Sequence, residues 1–261
     1  LGIALVNQLI DKDSGPSFCL AITTDEETGG LEGAKFLAQE FKFRPKVLIV
    51  PDGGGPDTLV NKSKGVCHVV IKSTGIPAHA SRPWQGENAL EPLVILATEL
   101  SKKYETNNSQ PSWDTTMNLG QLHGGAATNQ VCPQAELKVD FRFPETETVE
   151  GIVQQVQDLV QAIDPSLEVT TGSTGLSTYT DADLPVVKRF IDNLSQAMQT
   201  EVKVKGECGA SDARHFSPFD IPTIMAKPDG GNIHAEDEWL SLDSTMCFYL
   251  ALCLQLELVE H

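Results

Sequence analysis

The segment Val66–Thr171 constrains the fold most, because its apolar residues recur with the strand period and the helix period in one defined order. Val66–Lys72 reads as a strand, Glu87–Tyr104 as a helix, Thr115–Leu122 and Ala135–Phe143 as strands, Val149–Ile163 as a helix and Leu167–Thr171 as a strand. Ala135, Leu137, Val139, Phe141 and Phe143 alternate strictly, which predicts a sheet with one face buried. The order β-α-β-β-α-β is that of ferredoxin-like domains. The flanks read differently. Before it come a helix at Leu1–Ile10, a buried strand at Ser17–Thr24, a helix at Leu31–Phe41 and a strand at Lys46–Val50. After it come a helix from Leu184 to Gln199, a strand at Glu201–Lys205, a short helix near Ser211–Phe216, a strand at Ile221–Ala226 and a helix from Leu242 to Leu258. The expected class is therefore α/β: residues 1–65 and 176–261 form one α/β domain, and residues 66–175 form an α+β domain inserted into it. The first helix has neither an initiator Met nor a capping residue, so it reads as a helix entered partway.

A formal charge of −17 repels phosphate backbones and anionic lipid, so nucleic acid and membrane surfaces are not expected partners. The most apolar runs, Leu1–Ile10 and Phe248–Val259, fall well short of the roughly 20 residues a bilayer demands. The first of them also lacks the basic region and cleavage site of a signal peptide. Six cysteines without a Cys-x-x-Cys pair predict buried, reduced thiols in a cytoplasmic protein rather than a zinc ribbon.

Chemistry-bearing residues collect near predicted strand ends. Thr24-Asp-Glu-Glu-Thr-Gly-Gly30 carries the adjacent carboxylates Glu26 and Glu27. These suit a helix N-terminus capped by Asp25, or alternatively a metal ligand beside a base that takes a proton from metal-bound water. Asp52 follows the strand at Lys46–Val50, where open α/β sheets place ligands, although the same residues also make a glycine-rich turn. His234 sits among glycines and acids before the last helix. Together Glu27, Asp52 and His234 form a donor set suited to zinc, each expected on a loop after a strand of one sheet. Inside the insert, His79, Asn129 and Arg142 each stand beside a turn or a strand end. Ser211 in Gly209-Ala-Ser-Asp-Ala213 approximates a nucleophile elbow, with His215 or His234 as its base; this is the rival reading of a serine hydrolase.

The ordered motifs from Thr24 to Ser241 resemble those of the binuclear-zinc amidohydrolase and exopeptidase family of aminoacylase, acetylornithine deacetylase, succinyl-diaminopimelate desuccinylase and glutamate carboxypeptidase. The resemblance implies a zinc-exopeptidase-like α/β catalytic domain with an inserted ferredoxin-like lid that dimerises. It implies two zinc ions per subunit, replaceable by Co2+ or Mn2+. It makes Glu26 the general base, Glu27 and His234 ligands of one zinc and Asp52 a ligand of the other. His79, acting from the partner subunit's lid, Asn129 and Arg142 would contact the substrate, and the Gly209–Arg214 loop, including Ser211 and Arg214, would line the pocket. The implied reaction is hydrolysis of a peptide or N-acyl bond next to a free carboxylate, which an arginine fork holds well.

One departure stands out. None of the six histidines is followed two residues later by Asp, so the family's His-x-Asp ligand motif and bridging aspartate do not occur in this sequence. These residues by themselves are accordingly expected to hold at most one weakly bound metal and to hydrolyse amides negligibly. A catalytically inactive dimeric binding module is the alternative reading.

Overall fold

The computed structural model describes residues 1–9, 18–209 and 211–258. Helices α1 (Gly2–Leu9) and α2 (Ala34–Gln39) precede strands β1 (Leu48–Val50), β2 (Thr58–Ser63) and β3 (Gly65–Thr74). Helix α3 (Leu90–Asn108), strands β4 (Thr116–Gly124) and β5 (Gln134–Phe143), helix α4 (Val149–Ile163) and strand β6 (Glu168–Gly175) follow. Strand β7 (Thr178–Tyr179), helix α5 (Pro185–Met198), strands β8 (Lys203–Glu207), β9 (Thr223–Met225), β10 (Gly230–Gly231) and β11 (Trp239–Leu240), and helix α6 (Leu242–Gln255) complete the order. The chain divides into two compact units, one of residues 1–63 and 178–261 and the other of residues 64–177.

In the second unit β3, β4, β5 and β6 form an antiparallel sheet in the order β4-β5-β3-β6. Strict alternation in β5 sends Leu137, Val139, Phe141 and Phe143 to one face, where Cys67, Val69 and Ile71 of β3 join them. Helix α3 contributes Leu93, Leu96, Leu100 and Tyr104, spaced to lie along one stripe, and α4 contributes Ile152, Val156 and Val160. Tyr104 meets Phe141 edge-on at 5.6 Å between ring centroids. The start of α4 is fixed by Thr148, whose Oγ1 accepts the Gly151 N–H at 3.0 Å. The opposite face of the sheet is uncovered by helix and carries His68, Lys72, Glu136, Lys138, Asp140 and Arg142, as the two-residue period requires.

In the first unit a mixed sheet runs β1-β9-β2-β7, with β8 also paired to β2. β1 is parallel to β9 and β8 parallel to β2. Leu59 of β2 and Ile224 of β9 pack with Phe190 and Leu194 of α5 and Phe248 and Ala251 of α6.

Several expectations need correction. Residues 18–24 of the expected strand Ser17–Thr24 adopt no regular structure, Leu20 and Ile22 are exposed, and Ser17 lies outside the described residues. A strand exists only where a neighbour takes its backbone bonds, and none pairs with 18–24 among the described residues. The helix expected over Leu31–Phe41 shrinks to α2, because Gly33 and the turns before it occupy its first residues. Strand β2 was not expected. Buried on both faces and only six residues long, it lacks the alternation that marks a strand. Ile10, at the end of the first expected helix, lies outside the described residues. The cysteines are free, but Cys19 and Cys208 are exposed, while Cys67, Cys132 and Cys253 are buried. Among the described residues no helix is long and apolar enough to cross a membrane.

Candidate active site

Six of the singled-out residues lie in the first unit. Glu26 and Glu27 sit in a single 3-10 turn, Glu26–Thr28, built around Asp25. The Asp25 carbonyl accepts the N–H groups of Thr28 and Gly30, at 3.1 and 2.8 Å, and the Thr28 hydroxyl at 3.0 Å. Its Oδ2 accepts the N–H groups of Glu32 and Gly33 at 2.9 and 3.1 Å. Asp25 therefore caps the stretch before α2 instead of the turn that carries the two glutamates. The far side of the loop is held at the Gly29 carbonyl, which accepts Arg214 Nη2 at 3.0 Å and His215 Nε2 at 2.9 Å. Gly30 has φ +64°, and a Cβ there would collide with the Asp212 carboxylate, so only glycine lets the loop approach so closely.

Asp52 stands two residues beyond β1, in a loop that turns through positive φ at Gly53 and Gly54. The Gly54 N–H donates to Glu207 Oε1 at 2.7 Å, so the carboxylate at the C-terminal end of β8 holds the Asp52 loop. His234 lies between β10 and β11 with its backbone in the left-handed region at φ +66°, uncommon for a side chain of that size. Its Nε2–H donates to Glu27 Oε1 at 2.7 Å, and both side chains are well exposed. Neither Glu27 nor His234 follows a strand of the main sheet, contrary to the sequence-based expectation; a turn and a two-residue hairpin present them.

Burial dominates the electrostatics, and neighbouring charges modify it. Burial pushes the Glu26 carboxyl above the ordinary range, Asp52, Asp212 and Glu27 push it further, and Arg214 pulls it back. Asp52 is raised by burial, partly offset by Lys227 and reinforced by Glu207 and Glu27. Asp212 is raised by burial against the pull of His215 and Arg214, and both its carboxylate oxygens are buried with no hydrogen-bond partner. Burial lowers the His215 imidazole. Partly buried carboxylates placed near one another suit a bound cation, which would offset both the burial and the repulsion.

Glu27 and His234 are donors of the kind that zinc takes, one carboxylate and one imidazole in contact. Among the described residues no three His, Cys, Asp or Glu side chains converge closely enough to hold a metal, so Asp52 does not join them in one ligand set. The rival nucleophile has no base. Ser211 Oγ is buried, donates to Met225 Sδ at 3.0 Å and accepts the Ala213 N–H at 3.2 Å, as the cap of a 3-10 turn. The imidazoles proposed for it are engaged at Gly29 and Glu27. Ala210, inside the Gly209–Arg214 loop, lies outside the described residues.

His79, Asn129 and Arg142 belong to the second unit. His79 and Asn129 are neighbours, because the Ala80 N–H donates to the Asn129 carbonyl at 2.9 Å and His79 is bridged to Gln130. Arg142 is not beside them. It lies eight residues along β5 from Gln134, about 25 Å at a strand's rise. Its Nε and Nη2 donate to Asp140 Oδ1 and Oδ2 at 3.0 and 3.1 Å, a fork between residues two apart on one face. Glu207 and Asp212 were not singled out from the sequence as functional residues, and His215 was named only as a base for Ser211, not as the support of Gly29 that it is. Only the position of Glu207 at a predicted strand end offered a signal.

Residues 61–168 match the M20 peptidase dimerisation domain. Over 203 residues the chain is 30% identical to an acetylornithine deacetylase of Aliivibrio fischeri, an alignment spanning 72% of this chain and 52% of that protein. It is 25% identical over 242 residues to a succinyl-diaminopimelate desuccinylase of Dechloromonas aromatica, spanning 87% and 62% of the two chains. The chain is similar over most of its length to these two deacylases, and over residues 61–168 to the peptidase dimerisation domain. Its fold is shared with solved peptidases. It superposes on the aminopeptidase PepT of Bacillus cereus with a TM-score of 0.75 at 21% identity, covering 90% of this chain and 62% of the other. On the M20 metallo-carboxypeptidase Sso-CP2 of Sulfolobus solfataricus the TM-score is 0.66 at 18% identity, with 88% and 67% covered. The chain thus spans between about half and two thirds of these proteins.

Proposed function

We propose that this chain works in the hydrolysis of an amide bond, peptide or N-acyl, in a small substrate with a free carboxylate. The observation that carries this reading is the contact between Glu27 and His234 near two carboxylates, Glu26 and Asp52, that burial raises and neighbouring carboxylates raise further. Glu27 and His234 would hold one zinc and Asp52 would serve a second, with the remaining donors coming from outside the described residues. When bound, zinc lowers the pKa of its water to about 7 and polarises the substrate carbonyl. Glu26 would serve as the proton acceptor for a water held there, at its carboxylate. A carboxyl raised above the ordinary range suits this task, since a general base works best with its pKa near the operating pH. His79 and Asn129 contact the substrate from the inserted domain, residues 66–175, of the partner subunit. Arg142, too far along β5 to share a small substrate with His79 of its own copy, offers its fork to the substrate carboxylate from the other copy, where that carboxylate takes the place Asp140 now holds. Ser211 and Arg214 support the pocket wall and the glutamate turn.

The inserted domain pairs with a second copy of itself in this reading, and His79 acts in the partner's site. The matched dimerisation domain supports it, as do the free edge of β4 and the exposed apolar side chains Val94 and Ile95 of α3 and Leu119 and Leu122 of β4. A cytoplasmic location is consistent with the free thiols.

The test is turnover of N-acetyl, N-succinyl and dipeptide compounds by the protein carrying this chain, before and after chelation. Loss on chelation and recovery with added zinc are expected. Turnover insensitive to chelator, or full turnover in Glu26→Ala, overturns the reading.

A further inference from the structure

The segment from Gly75 to Glu87 is a rigid finger. Its base is closed by reciprocal bonds of 2.9 Å, Ile76 N–H to the Glu87 carbonyl and Glu87 N–H to the Ile76 carbonyl. A Cβ at Gly75 would collide with the Glu87 carbonyl, so glycine is what allows the two strands of the finger to close. Its flank is laid against the following loop by Ala80 N–H on the Asn129 carbonyl and Val131 N–H on the Ala78 carbonyl, both 2.9 Å. Its tip is a turn closed by Arg82 N–H on the His79 carbonyl at 2.8 Å. His79 therefore leaves a fixed backbone, and what remains to be set is the chemistry of its ring.

Ser81 sets it. The Ser81 backbone N–H points at His79 Nδ1 at 3.2 Å, and Ser81 Oγ lies 2.8 Å from the same nitrogen. A hydroxyl can donate or accept, but a backbone N–H can only donate, so Nδ1 must present its lone pair. The hydroxyl then donates to that lone pair as well. The proton of the neutral ring is left on Nε2, which has no hydrogen-bond partner among the described residues, and the side chain is exposed. Which nitrogen of an imidazole is available outward follows from the bond the other one makes.

We propose that Ser81 is the positioning residue of His79, locking it in the Nε2–H tautomer so that the finger presents a hydrogen-bond donor, aimed at a carbonyl oxygen, in place of a base or a metal ligand. The assignment of a carbonyl as its target rests on the proposed amide hydrolysis; the tautomer itself does not. A fixed N–H donor gains most from an oxygen on which negative charge develops during reaction, because no reorganisation is needed at that moment.

Long-range 1H–15N correlation spectra of the 15N-labelled chain, with the ring assigned by its loss in His79→Gln, read the tautomer without any turnover. At a pH where the ring is neutral, Nδ1 is expected at the unprotonated, pyridine-like position and Nε2 at the protonated, pyrrole-like one. In Ser81→Ala the Nδ1–H population should rise roughly two- to tenfold, the range that loss of one ordinary hydrogen bond gives, and Ser81→Thr, which keeps the hydroxyl, should restore it. A wild-type ring protonated at Nδ1, or a tautomer ratio unmoved in Ser81→Ala, overturns the proposal. Turnover by the protein carrying this chain separates the two readings. If Ser81 positions a catalytic donor, Ser81→Ala lowers kcat with KM little changed, and Ser81→Thr recovers it. Unaltered turnover in His79→Gln removes His79 from the proposed hydrolysis and leaves the spectroscopic result standing.

Discussion

The two compact units place their polar groups in opposite ways. In the unit of residues 64–177 an acid usually sits beside its base. Arg142 forks onto Asp140 and Lys138 meets Glu136 at 3.2 Å, while the buried Lys64 donates to the backbone carbonyl of Asp114 at 2.6 Å. In the other unit carboxylates crowd around Glu26, and Asp212 buries both carboxylate oxygens without a hydrogen bond, its nearest basic partner being His215 at 3.7 Å. Unpaired burial costs stability, and a fold retains it where charge is needed for something else. The difference separates a part whose surface charges are matched from a part whose carboxylates are crowded and partly buried.

Four changes would break or sharpen that contrast. The largest effect is expected from Glu26→Gln, which keeps the shape of the turn but removes the proton acceptor: kcat should fall by roughly 10²–10⁴, the usual contribution of a general base. Steady-state kinetics on the protein carrying this chain would check it, and a fall below tenfold would deny Glu26 that task. Phe141→Ala, in the core under the sheet of the second unit, should cost about 3–5 kcal/mol in chemical denaturation, because the ring is fully buried against Tyr104. If that variant unfolded no more easily, the unit with matched charges would not rest on that core. Arg142→Lys preserves charge and loses the planar fork, so substrate binding should weaken by about 1–3 kcal/mol, read as a higher KM. An unchanged KM would leave Arg142 as no more than the partner of Asp140.

The smallest effect concerns Asp212. Its carboxyl is held above the ordinary value of 3.8 in the folded chain, mainly by burial, so its contribution to stability is fully present below that value and is lost as pH rises through the raised one. Asp212→Asn should therefore make the metal-free chain more stable at neutral pH by about 1 kcal/mol, the scale of a buried group left without its bond. The gain should vanish in strong acid. Thermal denaturation at a series of pH values would show it, and equal destabilisation at every pH would mean that shape, not charge, governs the position.

Legibility in the sequence followed the same divide. The elements of the second unit were readable because each is long and buries one face, so that Ala135–Phe143 and Val149–Ile163 carry their period openly. In the first unit the strands are short and meet neighbours on both sides. The six residues of β2 were invisible, and the apolar run around Leu20 and Ile22 looked like a strand without a neighbour to make it one. The candidate site was legible as residue types in order: two adjacent glutamates, an aspartate after a strand and a histidine among glycines. Their support was not, since Glu207 under the Asp52 loop and His215 on Gly29 act through contacts between residues more than 150 positions apart.

What the sequence alone determined is therefore the periodic framework and the chemical identity of the donors, since both are written in neighbouring residues. What only the tertiary structure decided is which donors meet. Glu27 touches His234 across 207 positions, Asp52 does not join that pair in one ligand group among the described residues, and Ser211 turns to Met225 instead of a histidine. Period is a property of local backbone geometry, whereas convergence depends on how loops of little regular structure are pinned by distant partners.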